Sequence, residues 1–173
     1  MTHVISLLVE NHQGVLVRIA GLFSGRAYNL ESLTVGVTND PQVSRITLVC
    51  QGDDAVIEQI KKQLNKLIDV IKLIDLTALP SVHRELALIK VQASSAERGE
   101  IFQVADVFRG KVIDVGYDSM MLEVTGAGQK IDDLLAILST YTILEVARSG
   151  LVSIERGKKL KKQAKGAESP WKP

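Results

Sequence analysis

The 173-residue chain has one cysteine, few aromatic residues and almost no net charge, and each shortage excludes a class of protein. The single cysteine, Cys50, excludes an internal disulfide framework. With 21 Lys and Arg against 20 Asp and Glu, the whole chain has no field that would attract nucleic acid or an anionic membrane. Its apolar runs are shorter than the roughly 20 residues that span a bilayer, and its first residues lack a signal-peptide pattern. We therefore expect a cytoplasmic protein that binds neither membrane nor nucleic acid.

Sequence patterns for catalysis, metal binding and phosphate binding are also missing. The three histidines, His3, His12 and His83, are far apart, and none is spaced from Cys50 as a metal ligand would be. The chain has no GxxxxGK[ST] or GxGxxG loop and no serine in a nucleophile-elbow context. We therefore expect no catalytic residues and no metal site.

What the sequence has instead is two successive copies of a βαββαβ pattern. Apolar runs and alternation predict strands of the first copy at 4–9, 30–37, 46–50 and 70–79. Apolar residues at helical spacing predict the inward faces of two helices, Leu16, Ile19, Leu22, Phe23 and Ala27 in the first and Val56, Ile57, Ile60, Leu64, Leu67 and Ile68 in the second. After Pro80 the order repeats, from the strand LALIKVQA to the strands of ILEVARSGLVSI.

This order predicts an α+β protein of two tandem ferredoxin-like βαββαβ domains, at residues 1–79 and 80–156. In each domain both helices cover one face of an antiparallel sheet. A basic tail follows at 157–173, with six lysines and one glutamate, which leaves the remainder of the chain at −4 against a total of +1. The tail has two prolines and no apolar periodicity, so we expect it to be flexible and solvated; a basic arm for nucleic acid is the alternative.

The turn before the first helix has residues suited to binding a small carboxylate. Gly14 places the helix start where free N–H groups point outward, and the helix dipole adds partial positive charge there. The side chain of Asn11 can donate to an acid or accept from an amine, and Asn29 can bind an ammonium group. An aliphatic side chain of the ligand would contact Val15, Leu16 or Leu30.

Asparagine and glycine are also ordinary turn residues, which leaves a purely structural interpretation of this segment open. Asn29 can simply end the helix in a left-handed conformation. Because a single turn is shallow, a useful pocket would need a second copy of the domain facing it.

Several long motifs resemble one family. They are ENHQGVLVRIAGLFSGRAYNLESLTVG, SRITLV, QLNKLIDVIK, RELALIKV, FRGKVIDV and EVARSG, in this order over residues 1 to about 157. Together they resemble the small, regulatory subunit of acetolactate synthase (acetohydroxyacid synthase), whose first domain is an ACT domain. The resemblance implies a chain without an active site that activates a catalytic subunit and makes it sensitive to valine, leucine or isoleucine. Thiamine diphosphate, magnesium and FAD would belong to that partner, so we expect no cofactor in this chain.

The resemblance also assigns roles to residues. It implies that ACT domains pair between chains and that the effector binds at their interface, at positions matched by Asn11, Gly14, Val15, Leu16, Asn29 and Leu30. Gln59, on the second helix, matches a position linked to the valine response. Many ACT domains have proline before the glycine, where this chain has Gln13, so the turn is less rigid here.

Two alternatives remain from the sequence. The first is an ACT-domain sensor that acts on another enzyme or on a transcription regulator, against which the low basic charge outside the tail argues. The second is an enzyme that acts alone.

Overall fold

The structure, a computed structural model, describes residues 1–26 and 28–157. Its N-terminal unit contains β1 (Thr2–Glu10), α1 (Val15–Ser24), β2 (Leu30–Val37), β3 (Val43–Gln51), α2 (Asp54–Leu64) and β4 (Val70–Asp75). Its C-terminal unit contains β5 (Ser81–Gln92), α3 (Arg98–Val107), β6 (Lys111–Val115), β7 (Ser119–Gly126), α4 (Gly128–Leu138), β8 (Ile143–Arg148) and β9 (Val152–Glu155). Among these residues no helix is long and apolar enough to cross a membrane.

Both units have the same sheet topology, with every neighbouring pair of strands antiparallel. The N-terminal sheet has the order β2-β3-β1-β4, and the C-terminal sheet has the matching order β6-β7-β5-β8. β9 extends this pattern by pairing with the first residues of β5, from Ser81–Glu155 to Arg84–Val152. The predicted α+β class with two ferredoxin-like units is confirmed.

Each unit closes its own hydrophobic core between one face of the sheet and its two helices. The N-terminal core combines strand residues with both helices and contains Ile5, Leu7, Val9, Val15, Ile19, Leu22, Phe23, Ile46, Leu48, Cys50, Ile57, Ile60 and Leu64. The C-terminal core contains Ala87, Ile89, Val91, Ala93, Ile101, Ala105, Met120, Leu122, Val124, Ile131, Leu134 and Leu138. Alternation in the strands places every second side chain in these cores.

The structure corrects three expectations about the first unit. Leu16 does not face the core, because the buried stripe of α1 runs through Val15 and Ile19 and leaves Leu16 44% exposed. Ile68 is 93% exposed, because α2 ends at Leu64. Asn29 does not end a helix in the left-handed region, because α1 ends at Ser24 and Arg109 is the only non-glycine with positive φ in the described part of the chain. Ala27 and the predicted tail at 158–173 lie outside the described residues.

The two units meet where the turn between β8 and β9 touches β2. Thr34 Oγ1 donates to the carbonyl of Ser149 at 3.3 Å, and the N–H of Leu151 donates to Ser32 Oγ at 3.3 Å. Gly150 lies between these contacts with φ +77°, and a Cβ there would lie 2.5 Å from Ser32 Oγ. The strand β2 therefore belongs to the N-terminal sheet and also contacts the C-terminal unit.

Cys50 is fully buried in the first core, and its burial raises the pKa of the thiol to about 11. The neutral thiol reacts slowly with alkylating reagents. Up to about pH 9, we therefore expect iodoacetamide to modify the folded chain far more slowly than the chain in denaturant, by at least about 100-fold. Mass spectrometry at increasing denaturant concentration measures this, and rapid modification without denaturant would contradict the buried position.

Candidate functional site

Gly14 forms the start of α1 in a conformation that other residues rarely adopt. Its φ is +89°, and its carbonyl accepts the first helical hydrogen bond from the N–H of Arg18 at 3.0 Å. Gly14 has no side chain with which to cap the helix, so the N–H groups of its first turn keep their capacity to bind an acceptor. Such a helix start with an exposed glycine suits a small anion.

Asn11 fixes the turn against the β2–β3 hairpin. Its backbone N–H donates to the carbonyl of Gln42 at 2.7 Å, and its side-chain Nδ2 donates to the carbonyl of Pro41 at 2.8 Å. One of the two N–H donors of the side-chain amide is therefore used within the chain. Asn11 holds the turn in place, and its second N–H and its Oδ1 remain as possible ligand contacts.

Val15 and Leu16, both expected to contact a ligand, differ in accessibility. Val15 is 4% exposed and belongs to the core, whereas Leu16 projects from the surface. Leu16 is therefore the side chain at this turn that can contact an aliphatic ligand directly. Val15 supports the turn from below.

The remaining predicted residues lie at the opposite end of the same sheet. The carbonyl of Asn29 accepts from Gln51 N–H at the end of β3, whereas Asn11 pairs with Gln42 beside the start of β3. The eight residue steps of β3, from Val43 to Gln51, span about 26 Å at ~3.3 Å each. Gln59 lies with the Asn29 end, because its Oε1 accepts from the hydroxyl of Tyr28 at 3.3 Å. A single copy of the chain therefore does not bring Gly14 and Asn29 together.

A cluster of charged side chains beside Gly14 was missed by sequence reasoning. Arg18 binds Asp69 through two hydrogen bonds, Nε to Oδ2 at 2.7 Å and Nη2 to Oδ1 at 2.8 Å. His12 Nε2 lies 3.0 Å from Asp69 Oδ1 and 3.2 Å from Glu10 Oε2. The spacing of Arg18, one helical turn after Gly14, was a usable signal, but Asp69 joins the cluster only because β4 lies beside β1.

The pKa values of the cluster follow from these contacts. The Arg18 guanidinium, with help from His12, lowers the pKa of the Asp69 carboxyl, whose side chain is 5% exposed. The hydrogen bond to the Gln13 carbonyl, and then Asp69 and Glu10, raise the pKa of His12, against the opposing effects of desolvation and of Arg18. Glu10, His12 and Asp69 are also the only group of possible metal ligands found in the described part of the chain. Both oxygens of Asp69 already bind Arg18, so a metal ion here would compete with the guanidinium for that carboxylate.

The corresponding turn of the C-terminal unit has a carboxylate at the helix start. The N–H and hydroxyl of Ser94 donate to Glu97 Oε2 at 2.8 and 2.6 Å, immediately before α3. These hydrogen bonds lower the pKa of Glu97, so its carboxylate stays charged at the place where the first unit has Gly14. A carboxylate ligand would be repelled here, so of the two turns only the first suits an amino acid.

Two family models match the chain, one for each unit. Residues 5–72 match the AHAS small subunit-like ACT domain, and residues 84–157 match the small subunit of acetolactate synthase. Together these matches cover most of both sheets.

Relatives and one solved structure are similar over most of the chain. A probable acetolactate synthase small subunit of Methanothermobacter thermautotrophicus is 50% identical over 157 residues, 90% of this chain and 94% of that protein. The acetolactate synthase small subunit of Haemophilus influenzae is 45% identical over 160 residues, 92% of this chain and 98% of that protein. The crystal structure of the small subunit from Thermotoga maritima has a TM-score of 0.85 and 41% identity, and covers 91% of this chain and 99% of that one.

Proposed function

The chain belongs to the family of acetolactate synthase small subunits, and from this premise we propose that it is the non-catalytic regulatory subunit of an acetolactate synthase. In this role it binds a separate catalytic subunit and raises its activity. The observation that carries the proposal is the similarity to small subunits along both units of the chain. Thiamine diphosphate, magnesium and FAD would then be held by the catalytic subunit.

We further propose that a branched-chain amino acid, chiefly valine, is the effector and binds between the ACT domains of two copies. β2 is an edge strand, and Val35 and Val37 on it are 43% and 61% exposed. An unpaired edge of this kind can pair with a second chain. Antiparallel pairing of two β2 strands about a twofold axis would place the end of β2 near Val37 beside Leu30 of the second copy.

This pairing would bring together the Gly14 and Asn29 ends of the site, which lie far apart in a single copy. The β2–β3 hairpin lies against Asn11 in each copy, so the pairing would bring the Gly14 turn of one chain toward Asn29 and Leu30 of the other. The free N–H groups of α1 would bind the effector carboxylate, and Asn29 of the second copy would bind its ammonium group. Leu16 and Leu30 would contact the aliphatic side chain.

The affinity this site has to supply is modest. A dissociation constant on the order of 100 μM corresponds to about −5.5 kcal/mol. One buried aliphatic side chain supplies about 1.5–3 kcal/mol, and charge-assisted hydrogen bonds at both ends supply the rest. Because β2 also contacts Ser149 and Leu151, a shift of the paired strands would reach the C-terminal unit directly. Effector binding would then change the arrangement that the catalytic subunit contacts.

The proposal is tested by an activity assay with pyruvate. The purified chain alone is expected to form no acetolactate. Added to the catalytic subunit from the same organism, it is expected to raise the rate at least about fivefold, and millimolar valine should then reverse most of the gain. Acetolactate formation by the chain alone would mean that the chain is itself an enzyme. A catalytic subunit that neither binds the chain nor changes its rate would mean that the chain is a sensor for another target.

A further inference from the structure

The imidazole of His12 is surrounded by hydrogen-bond acceptors on both sides. Nδ1 lies 3.0 Å from the carbonyl of Gln13, and Nε2 lies between the carboxylates of Asp69 and Glu10. A neutral imidazole has one N–H and therefore leaves one nitrogen lone pair facing an oxygen. Only the imidazolium form can donate to the carbonyl and to the carboxylates together.

The charge of His12 decides the charge of the whole cluster. The charged groups that act on it are Glu10 from β1, Asp69 from the segment before β4, and Arg18 from α1. With His12 protonated, two carboxylates and two cations balance. When His12 loses its proton, one negative charge is left over beside the Gly14 turn.

This charge lies where the effector carboxylate would bind. A Cβ on Gly14 would lie 3.2 Å from Arg18 Nη1, so the guanidinium reaches the open side of the turn. Protonated His12 and Arg18 both bind the Asp69 carboxylate, so this carboxylate neutralises the guanidinium only in part. The guanidinium can then attract a second carboxylate. The other N–H of the imidazolium, on Nδ1, donates to the carbonyl of Gln13, the residue that precedes Gly14.

We propose that His12 is a positioning residue of the effector site whose proton favours binding of the amino acid, so that feedback weakens as pH rises. This inference rests on the proposed function, since it concerns the regulation of the same site. Its sign follows from linkage: a ligand that prefers the protonated cluster binds more tightly below the pKa of His12 and loses affinity as pH rises through it. The ammonium group of valine stays charged over this range and adds no opposing trend.

The test is calorimetric titration of L-valine into the full-length chain from about pH 6 to about pH 8.5. The dissociation constant of the parent chain is expected to rise about fivefold across this range. His12→Gln removes the charge and is expected to bind weakly with no pH trend. His12→Lys keeps a permanent charge and is expected to bind tightly at every pH. His3 and His83 are present in all three proteins, so they cannot cause a difference between them.

The outcomes separate this inference from the function on which it rests. The same pH slope in the parent and both variants would overturn the role of His12 while leaving valine as the effector. A His12→Lys chain that binds as weakly as His12→Gln would overturn the electrostatic mechanism. No binding of valine by the parent at any pH would overturn the effector proposal and this inference with it.

Discussion

Gly14→Asp is expected to abolish the response to valine while the chain still activates its catalytic subunit. The new carboxylate would face the carboxylate of the ligand across the first turn of α1, and repulsion at about 4 Å costs roughly 2–4 kcal/mol near a protein surface. The dissociation constant of valine should rise at least about 30-fold. Titration of valine in the activity assay and calorimetry on the isolated chain measure the two effects separately.

Three control variants separate charge from backbone strain. Gly14→Asn has nearly the same shape as Gly14→Asp and tolerates positive φ, but is neutral, so it should retain part of the valine response. Gly14→Ala measures the cost of a Cβ at φ +89°, which is about 1–2 kcal/mol. Gly21→Ala adds a Cβ on the same helix that would contact none of the described residues outside the adjoining helix backbone, and it should leave binding unchanged. Full valine sensitivity in Gly14→Asp would place the effector elsewhere.

Arg148→Met is expected to lower the free energy of unfolding by about 3 kcal/mol, because it leaves a buried carboxylate without its partner. Arg148 binds Glu85 through Nε to Oε1 at 2.6 Å and Nη2 to Oε2 at 2.8 Å, and the Glu85 side chain is 9% exposed. Methionine keeps the apolar stem of the side chain and removes the charge. Urea denaturation followed by circular dichroism measures the change.

The matched control uses the second partner of Arg148. Asp132 binds Nη1 at 2.7 Å, but its side chain is 53% exposed, so Asp132→Asn should cost less than about 1 kcal/mol. The double variant Arg148→Met, Glu85→Leu removes both charges and should recover most of the loss. An equal, small loss for Arg148→Met and Asp132→Asn would mean that the bond to Glu85 contributes little.

Much of the fold followed from the sequence, because strand and helix periodicities were clear on both sides of Pro80. Asp53 caps α2 as an aspartate at a helix start commonly does, its carboxylate accepting from Val56 N–H at 2.8 Å. The wrong predictions concerned which face of α1 is buried and where α2 ends. Periodicity fixed a stripe on α1 but could not decide whether Val15 or Leu16 began it, since both neighbours are apolar.

The candidate site was harder to predict from the sequence, because its residues come from segments that are distant along the chain. Gly14 was identifiable as a helix start from local turn chemistry, and the structure agrees. The sequence could not show that the side-chain amide of Asn11 donates to the Pro41 carbonyl, or that Asp69 lies beside Arg18 and His12. Both contacts depend on strand order. The distance between Gly14 and Asn29 also follows only from the register, and because of it the proposed site needs residues from two copies.

The burial of Cys50 has a practical consequence for measurements on the proposed dimer. Because the native thiol is shielded and lies in the core, Val17→Cys, at a position 74% exposed on α1, would provide a single accessible attachment point for a nitroxide spin label. Pulsed electron paramagnetic resonance would then report the separation of two labels across a dimer, with and without valine, free of background from the native cysteine.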